Sequence, residues 1–281
     1  MNLMESLISK RKEGLIPVIA EVKRRIPRIE KQFGRGRDER DAGVLASQYE
    51  EGGAAAISLV TETVHFGGKP LEDIPAILES TSLPLLIKDF IVDPDKVDFY
   101  ATLVEKLNPD FLGKVTLLVI SHLVGEERLP SLLRYIYERG MLPLIETRGL
   151  QDLRYLDCLD HRPEVVGINN KDIDDLEMGD DVIRVDAEMI SCYRKVLGES
   201  IIVSESAHRS VDDVHRSIEA GADAVLVGTA FLLADDPVCA VRMFVQAGSF
   251  RSAPDVSDLP GSDLPGSARI FVGTGSRGQS R

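Results

Sequence analysis

The sequence contains no tryptophan, aromatic residues make up only 5% of it, and there are three cysteines among its 281 residues. Cys158, Cys192 and Cys239 are far apart, odd in number and not spaced as metal ligands. This argues against a disulfide framework and indicates a reducing compartment. The chain also lacks an excess of positive charge, since its formal net charge is −13. It is therefore not expected to bind nucleic acid, which usually requires a basic surface.

Long apolar runs are missing as well. Nowhere do about 18 apolar residues follow one another, as a membrane-spanning helix requires. Residues 1–12 alternate apolar with charged residues and do not form the apolar core of a signal peptide. We therefore expect a cytoplasmic protein that does not associate with a membrane. The five histidines are scattered along the chain, and we expect no metal site.

Short apolar runs recur along the chain and alternate with amphipathic helical patterns. Such runs are typical of strands buried on both faces of a parallel sheet. They lie at residues 17–22, 55–60, 84–88, 115–120, 142–146, 165–169, 201–205 and 224–228. Helices are predicted at 1–14, 42–51, 71–80, 94–107, 126–139, 149–159, 186–197, 210–220 and 236–246.

This alternation predicts an α/β fold, a closed parallel (β/α)8 TIM barrel that forms a single domain over residues 1–248. An open doubly wound sheet is the alternative, but no Gly-x-Gly-x-x-Gly motif follows the first strand. Residues 24–41 carry many Lys and Arg side chains and predict a long, flexible loop, either solvated or closing over an anionic ligand. The repeated Asp-Leu-Pro-Gly-Ser at 258–267 predicts a flexible low-complexity tail over 249–281.

Charged or amide side chains stand where the predicted strands end, whereas the strand interiors are apolar. In a TIM barrel these ends form the rim that carries the active site. The residues that meet there are Glu21, Lys23, Glu62, Lys88, Glu146, Asn169, Lys171, Glu205, Ser206, Gly228 and Thr229. Lysines beside carboxylates allow a protonated acid and an ionised base to coexist. Small residues after the last two strands leave backbone N–H groups open to a phosphate. The residues thus predict metal-free acid–base chemistry on a small phosphorylated substrate.

Seven motifs occur in order at these strand ends. They are Ile19-Ala-Glu-Val-Lys-Arg24, Leu59-Val-Thr-Glu62, Lys88-Asp-Phe-Ile-Val-Asp93, Leu144-Ile-Glu146, Gly167-Ile-Asn-Asn-Lys-Asp172, Val203-Ser-Glu-Ser206 and Leu226-Val-Gly228. From about residue 17 to 245 the chain resembles the indole-3-glycerol phosphate synthase family. The resemblance implies a carbon–carbon lyase of tryptophan biosynthesis that needs no cofactor. Its reaction converts 1-(o-carboxyphenylamino)-1-deoxyribulose 5-phosphate to indole-3-glycerol phosphate and releases carbon dioxide and water.

The resemblance also implies roles for individual residues. Lys88 would be the general acid that protonates the substrate carbonyl, and Glu146 the general base of the later dehydration. Glu21 would orient Lys88, and Lys23 would hold the anionic groups of the substrate. The expected substrate-binding residues are Asn169, Lys171, Phe90, Glu205, Ser206, Ala207, Gly228 and Thr229. Association with another enzyme of tryptophan biosynthesis is left open.

Three substrate-holding positions depart from the family pattern. The Ser-Pro-Ser segment of the family is Arg25-Ile-Pro-Arg28 here, its arginine after the paired asparagines is Lys171, and its glycine after Ser-Glu-Ser is Ala207. Lysine cannot bind a carboxylate in the bidentate way of arginine, and alanine tolerates a positive φ poorly. Two alternatives therefore stay open: a related lyase or synthase acting on a different phosphorylated substrate, and a non-catalytic barrel subunit.

Overall fold

Eight parallel strands close into a barrel in the computed structural model, which describes residues 1–251 except 35, 172, 177–179 and 181. The strands are β1 Val18–Val22, β2 Ala56–Val60, β3 Leu85–Lys88, β4 Val115–Ile120, β5 Leu142–Thr147, β6 Val165–Asn169, β7 Ile201–Glu205 and β8 Ala224–Val227. They pair in chain order, and β8 closes on β1 with Val225 opposite Val18. The predicted TIM barrel is confirmed.

Helices follow the strands around the outside of the barrel. They are α1 Leu3–Lys12, α2 Pro27–Phe33, α3 Ala42–Glu51, α4 Pro70–Ser80, α5 Pro94–Leu107, α6 Ser121–Val124, α7 Leu129–Glu138, α8 Leu153–Asp157, α9 Ala187–Leu197, α10 Val211–Ala220, α11 Thr229–Leu232 and α12 Pro237–Val245. Short 3-10 helices cover Pro109–Lys114, Leu150–Asp152 and Gln246–Arg251. The helix predicted at 149–159 is thus split in two, and the short helices α2, α6 and α11 were not expected.

Aspartate side chains begin several of the outer helices. The carboxylates of Asp41, Asp93, Asp186 and Asp236 each accept a hydrogen bond from the backbone N–H three residues further along the chain. Such a bond satisfies an N–H group that the first helical turn leaves without a partner. These caps fix the residue at which each helix begins. They therefore also fix the length of the loop that joins the helix to the preceding strand.

Strand side chains alternate between two apolar layers, as the period of a strand requires. One layer lies between the sheet and the outer helices and includes Val18, Ile57 and Val225. The other fills the barrel interior and includes Ile19, Leu86, Leu118, Leu144, Val203 and Leu226. The interior layer is therefore a packed apolar core, above which the carboxyl ends of the strands carry charged side chains.

Helix α1 covers the lower end of the barrel. Its Leu3 and Leu7 are fully buried and belong to the interior layer, and the hydroxyl of Ser6 donates to the backbone oxygen of Ala55. Arg11 forms an ion pair with Asp223, in which Nη1 and Oδ1 are 2.6 Å apart. Asp223 directly precedes β8, so α1 is tied to the last strand of the barrel.

Asp223 is fully partnered at this end. Its Oδ2 accepts from the backbone N–H of Ile202 at 2.8 Å and from the guanidinium of Arg194. Together with the Oδ1 contact to Arg11, each carboxylate oxygen has a positive or N–H partner. We call Asp223 with Arg11 and Arg194 the Asp223 cluster.

The prediction of a long, flexible loop over residues 24–41 is wrong for the described part of this segment. It contains α2, and its root is fixed by the buried side chain of Arg24. Nε of Arg24 donates to Asp73 at 3.0 Å, and Nη1 donates to the backbone oxygens of Asp38 at 3.1 Å and Arg40 at 2.5 Å. A buried guanidinium that satisfies several acceptors at once is a strong anchor.

Two further expectations concern membrane-spanning helices and the C-terminal tail. No helix within the described ranges combines the length and the apolar character needed to cross a membrane. The tail predicted for 249–281 lies outside the described residues from 252 onward. Its boundary with the barrel therefore stays a prediction.

Candidate active site

Lys88 ends β3, and its ammonium group lies among three carboxylates from other strands. Nζ is 3.0 Å from Oε2 of Glu205, 3.6 Å from Oε2 of Glu146 and 3.8 Å from Oε2 of Glu21. All four side chains are at most 9% exposed. They come from β1, β3, β5 and β7, as expected because alternate strands of a TIM barrel contribute the four side chains of one interior layer. We call this set the Lys88 layer.

The Lys88 layer holds more negative than positive groups. Lys23 adds a second ammonium, with Nζ 2.9 Å from Oε1 of Glu21. Three buried carboxylates thus face two ammonium groups, and Oε1 of Glu205 accepts no hydrogen bond among the described residues. Burying charge is costly unless it is well paired. A buried charged oxygen without a partner is therefore typical of a ligand-binding site, not of an ordinary ion pair at a strand end.

An apolar cleft of about 380 Å³ opens beside Lys88 and Glu146. The other side chains along it are mostly aromatic or aliphatic. They include Phe66, Phe90, Leu118, Ile120 and Ile173, with Lys23, Glu62 and Asp89 as the charged groups. Such a surface suits a flat, apolar part of a ligand.

Phe66 is held in the cleft by Glu62, which follows β2. The Glu62 carboxylate accepts hydrogen bonds from the backbone N–H groups of Val64 at 2.8 Å, His65 at 2.7 Å and Phe66 at 3.0 Å. Three such bonds wrap the loop around one side chain and fix the position of Phe66. The ring centre then lies 5.2 Å from Nζ of Lys23, a cation–π distance. Phe66 was not among the residues expected from the sequence.

A second pocket of about 300 Å³ lies on the side of β7 and β8. Its lining combines cationic side chains with hydroxyl groups and small residues. The residues are Glu21, Lys23, Lys171, Ser206, Ala207, His208, Arg209, Leu226, Gly228 and Thr229. Cationic groups together with accessible backbone N–H groups favour an anion such as phosphate. We call it the anion pocket, and Lys23 lines both it and the cleft.

Two consecutive asparagines at the end of β6 have different surroundings. Asn169 accepts from the backbone N–H of Lys171 at 2.9 Å, whereas its amide nitrogen is buried and makes no hydrogen bond within the described part of the chain. Asn170 accepts from the backbone N–H groups of Arg184 at 2.7 Å and Val185 at 3.1 Å. Asn169 therefore offers a donor to a ligand, while Asn170 holds the loop that follows β6.

Two glycines leave space for the carboxylates of the Lys88 layer. A Cβ atom at Gly167 would lie 1.7 Å from Oε1 of Glu205, and one at Gly228 would lie 2.5 Å from Oε1 of Glu21. Both distances are far below contact distance, so any side chain there would displace the carboxylate. Glycine at these two positions therefore allows the carboxylates of Glu205 and Glu21 to lie close to the backbone.

Arg25, one of the altered positions of the first loop, pairs within its own segment. Arg25 and Arg37 both donate to the carboxylate of Glu30, the latter over 2.6 Å, and these hydrogen bonds hold the pKa of Glu30 below its usual value. Arg25 and Arg28 are absent from the described lining of both cavities. The other two departures, Lys171 and Ala207, do line the anion pocket.

The structure thus brings together the residues predicted from strand ends. The expected acid, base and orienting residues lie in the Lys88 layer, with Lys23 against Glu21. Phe90 lines the cleft, and Glu205 lies in the Lys88 layer. The other expected residues after β6, β7 and β8 line the anion pocket, namely Lys171, Ser206, Ala207, Gly228 and Thr229. Among the described residues no group of three or more His, Cys, Asp or Glu side chains is arranged to hold a metal ion.

Comparison with known proteins identifies the family. The chain matches the family model described as indole-3-glycerol phosphate synthase over residues 1–244. The enzyme of that name from Methanopyrus kandleri is 38% identical over 236 residues, covering 83% of this chain and 84% of the relative. Those from Pyrococcus furiosus and Mycobacterium leprae are 31% and 33% identical, covering 84% and 89% of this chain and 95% and 84% of the relatives. The resemblance of the seven motifs is confirmed, and the chain belongs to the indole-3-glycerol phosphate synthase family.

Proposed function

We propose that this chain is an indole-3-glycerol phosphate synthase. It would close the ring of 1-(o-carboxyphenylamino)-1-deoxyribulose 5-phosphate with loss of carbon dioxide and water. The observation that carries the proposal is the Lys88 layer, which lies beside an apolar cleft and shares Glu21 with the anion pocket, while Lys23 lines both cavities. The matched relatives bear the name of this enzyme.

The two cavities fit the two ends of this substrate. Its aromatic ring would lie in the cleft against Phe66 and Phe90, and its phosphate would lie in the anion pocket near Lys171 and Ser206. Lys23 lines both and would hold the carboxylate on the ring. Burying the two ends separately fixes the reacting carbons near Lys88, which lowers the entropic part of the barrier.

Lys88 would act first, as general acid. Carboxylates within 3.8 Å of Nζ favour its ammonium form. As the ring carbon bonds to the carbonyl carbon, the carbonyl oxygen takes a proton from Lys88 and becomes a hydroxyl group. Loss of carbon dioxide from the same ring carbon then restores the aromatic ring. Glu205 and Glu21 would keep Lys88 pointed at the oxygen.

Glu146 would act in the dehydration. Its Oε2 is 3.6 Å from Nζ of Lys88, so both groups reach the same part of the bound molecule. Glu146 would accept the proton lost from the carbon next to the ring nitrogen. The hydroxyl group would take a proton from Lys88, which has regained one from solvent, and leave as water. An acid and a base on the same side of the cleft can thus carry both steps without a further group.

The test replaces Lys88 with methionine, which keeps the length of the side chain and removes the proton. We expect formation of the indole product, followed by its fluorescence, to fall about 10²- to 10⁴-fold, while circular dichroism shows an unchanged fold. The matched control is Lys106→Met on the exposed face of α5. Turnover of Lys88→Met at the wild-type rate would contradict the proposed role of Lys88. No product from the wild-type protein would contradict the proposed function itself.

The alternatives are less well supported. The case for a different, more acidic substrate depended partly on Arg25, but its guanidinium donates to Glu30 within the same segment. A non-catalytic barrel would have no reason to keep one ammonium group and three carboxylates buried together at its rim. Complementation of a tryptophan-requiring strain that lacks the synthase would decide against both alternatives.

The cellular location and a partner enzyme are two further proposals. We propose a cytoplasmic location, since the substrate is a phosphorylated metabolite, and cell fractionation tests it. Association with another enzyme of tryptophan biosynthesis is a separate proposal. Co-purification of such an enzyme with the full chain would support it, and elution of the chain without one would count against it.

A further inference from the structure

A chain of buried polar side chains lies beneath the anion pocket and is not used by the proposed chemistry. It runs from Asn170 after β6 through Ser204 in β7 and Ser217 in α10 to His208. The successive distances are 2.9 Å from Nδ2 of Asn170 to Oγ of Ser204, 3.0 Å between the serine oxygens, and 2.9 Å from Ser217 to Nε2 of His208. None of the four side chains is more than 2% exposed.

The last contact fixes the direction of the whole chain. Nδ1 of His208 lies 3.3 Å from the backbone oxygen of Leu226 in β8, and a carbonyl oxygen can only accept. Nδ1 must therefore carry the hydrogen. In a neutral imidazole Nε2 is then an acceptor, so the Ser217 hydroxyl donates to it, and Ser204 donates to Ser217. Burial lowers the pKa of His208 to about 4, in agreement with the neutral form.

The residues just before His208 adopt an unusual backbone conformation. Ser206 and Ala207 have φ values of 63° and 65°, in the left-handed region that disfavours side chains other than glycine. Each such residue costs about 1 kcal/mol or more and persists only where its surroundings hold it. Asn170 donates to the backbone oxygens of Glu205 at 2.9 Å and Ser206 at 3.3 Å, which holds the start of this turn. His208 holds its end.

We propose that His208 is a positioning residue for the anion pocket, which locks the Ser206–Ala207 turn against β8 so that phosphate binding depends on it. Both of its ring nitrogens are engaged within the protein, so it acts through the turn. This inference rests on the proposed function only in taking the anion to be the substrate's phosphate. Binding of inorganic phosphate therefore tests it independently of turnover.

The first experiment replaces His208 with leucine, which fills similar space but makes no hydrogen bond. We expect the Kd for inorganic phosphate, measured by calorimetry, to rise about tenfold because the turn is no longer held. KM for the substrate should rise by a similar factor while kcat changes little, since the Lys88 layer is untouched. His161→Leu on the exposed surface is the matched control. Phosphate affinity equal to wild type, or an equal fall in kcat, would overturn the proposal.

Partial replacements separate hydrogen bonding from packing. His208→Gln can keep the contact to Ser217, and His208→Asn the contact to Leu226, so both should bind phosphate more tightly than His208→Leu. If all three bind phosphate equally, His208 acts only by filling space and the proposal is wrong.

Two further variants test the chain where His208→Leu fails to fold. Ser217→Ala breaks the chain at a residue that does not line the anion pocket, and should weaken phosphate binding about threefold. Ala207→Gly relieves the backbone at φ 65° and should restore part of the affinity in the Ser217→Ala background. No loss in Ser217→Ala, or no recovery in the double variant, would each contradict the proposal.

Discussion

The two ends of the barrel both bury charged side chains, but they partner them differently. At the lower end Asp223 contacts Arg11 at 2.6 Å and the N–H of Ile202 at 2.8 Å, and its Oδ2 also pairs with Arg194. At the upper end three carboxylates share two ammonium groups, and one oxygen of Glu205 has no hydrogen-bond partner in the described ranges.

This difference separates stability from function. A buried carboxylate whose oxygens all have partners contributes to the stability of the fold. Removing it leaves those donors without a hydrogen-bond partner, which lowers the free energy of unfolding. A buried carboxylate oxygen that accepts no hydrogen bond within the described residues, such as Oε1 of Glu205, gains little for folding and is retained where a ligand completes it. Substitutions in the Lys88 layer should therefore lower activity more than stability, and substitutions at Asp223 should lower stability and leave activity unchanged.

Glu146→Gln should have the largest effect, and only on activity. Glutamine keeps the shape of the side chain but cannot act as the base, so kcat should fall about 10²- to 10⁴-fold. The melting temperature should stay equal or rise, because one of three crowded carboxylates loses its charge. Product fluorescence and calorimetric melting measure the two quantities. A variant that melts earlier would break the comparison between the two ends.

Both ring nitrogens of His208, near the upper end of the barrel, have hydrogen-bond partners. We therefore expect His208, like Asp223, to contribute to the stability of the fold. Its pKa in the folded protein is about 4, against an ordinary value of 6.5, because burial disfavours the charged form. Between these values the unfolded chain binds more protons, so stability is lost as pH falls from 6.5 towards 4, by about 3 kcal/mol in total.

His208→Gln removes this contribution. Urea unfolding at pH 7 and pH 4.5 should show a smaller loss of stability in the variant than in the wild-type protein. The difference between the two proteins isolates His208 from the carboxylates that titrate in both. Parallel losses in both would show that His208 is not held neutral.

Gly167→Ala should affect both properties. Its Cβ would lie 1.7 Å from Oε1 of Glu205 and must displace that side chain, which lies nearest to Lys88. We expect about a 10²-fold loss of rate through misplacement of Lys88, and about 1–3 kcal/mol of lost stability through overpacking. Gly113→Ala is the control, since its Cβ would meet nothing within 4 Å. Full activity of Gly167→Ala would show that Glu205 does not set the position of Lys88.

Asp223→Asn should have the smallest effect, and only on stability. It removes the charge that pairs with Arg11 and Arg194, whose side chains are 51% and 31% exposed and so partly screened by solvent. We expect a loss of about 1–2 kcal/mol in urea unfolding, with kcat and KM unchanged. The control Asp160→Asn alters an exposed surface pair and should change neither quantity. A reduced kcat in Asp223→Asn would contradict the separation of the two ends.

The strand ends were predictable because they follow from local patterns. Short apolar runs that alternate with helical patterns, together with the topology of a barrel, are enough to place Glu21, Lys88, Glu146 and Glu205 on the same rim. Which of the three carboxylates lies nearest to Lys88 was not predictable, since it is that of Glu205, 117 residues away in sequence. Local patterns determine on which face of the sheet a side chain lies. Its partner depends on the packing of segments that are far apart in the sequence.

Other parts of the site had no local signal. The anchoring of Arg24 by Asp73 joins positions 49 residues apart, so its segment resembled a free loop by composition. Phe66 enters the cleft only because Glu62 binds three successive N–H groups, a geometry that no spacing of residue types indicates. The left-handed backbone of Ala207 was indicated only by the glycine of the family pattern, because alanine itself is typical of ordinary backbone.

The covering of the barrel by α1 has a consequence for how the chain is made. This helix lies first in the sequence, yet its Arg11 is held by Asp223, and its buried leucines pack in the same interior layer as Leu226 of β8. During synthesis α1 emerges long before those partners exist, and it must wait until the last strand has left the ribosome. The lower end of the barrel therefore closes only after β8 has been made, by the docking of a helix that was translated before any of the strands.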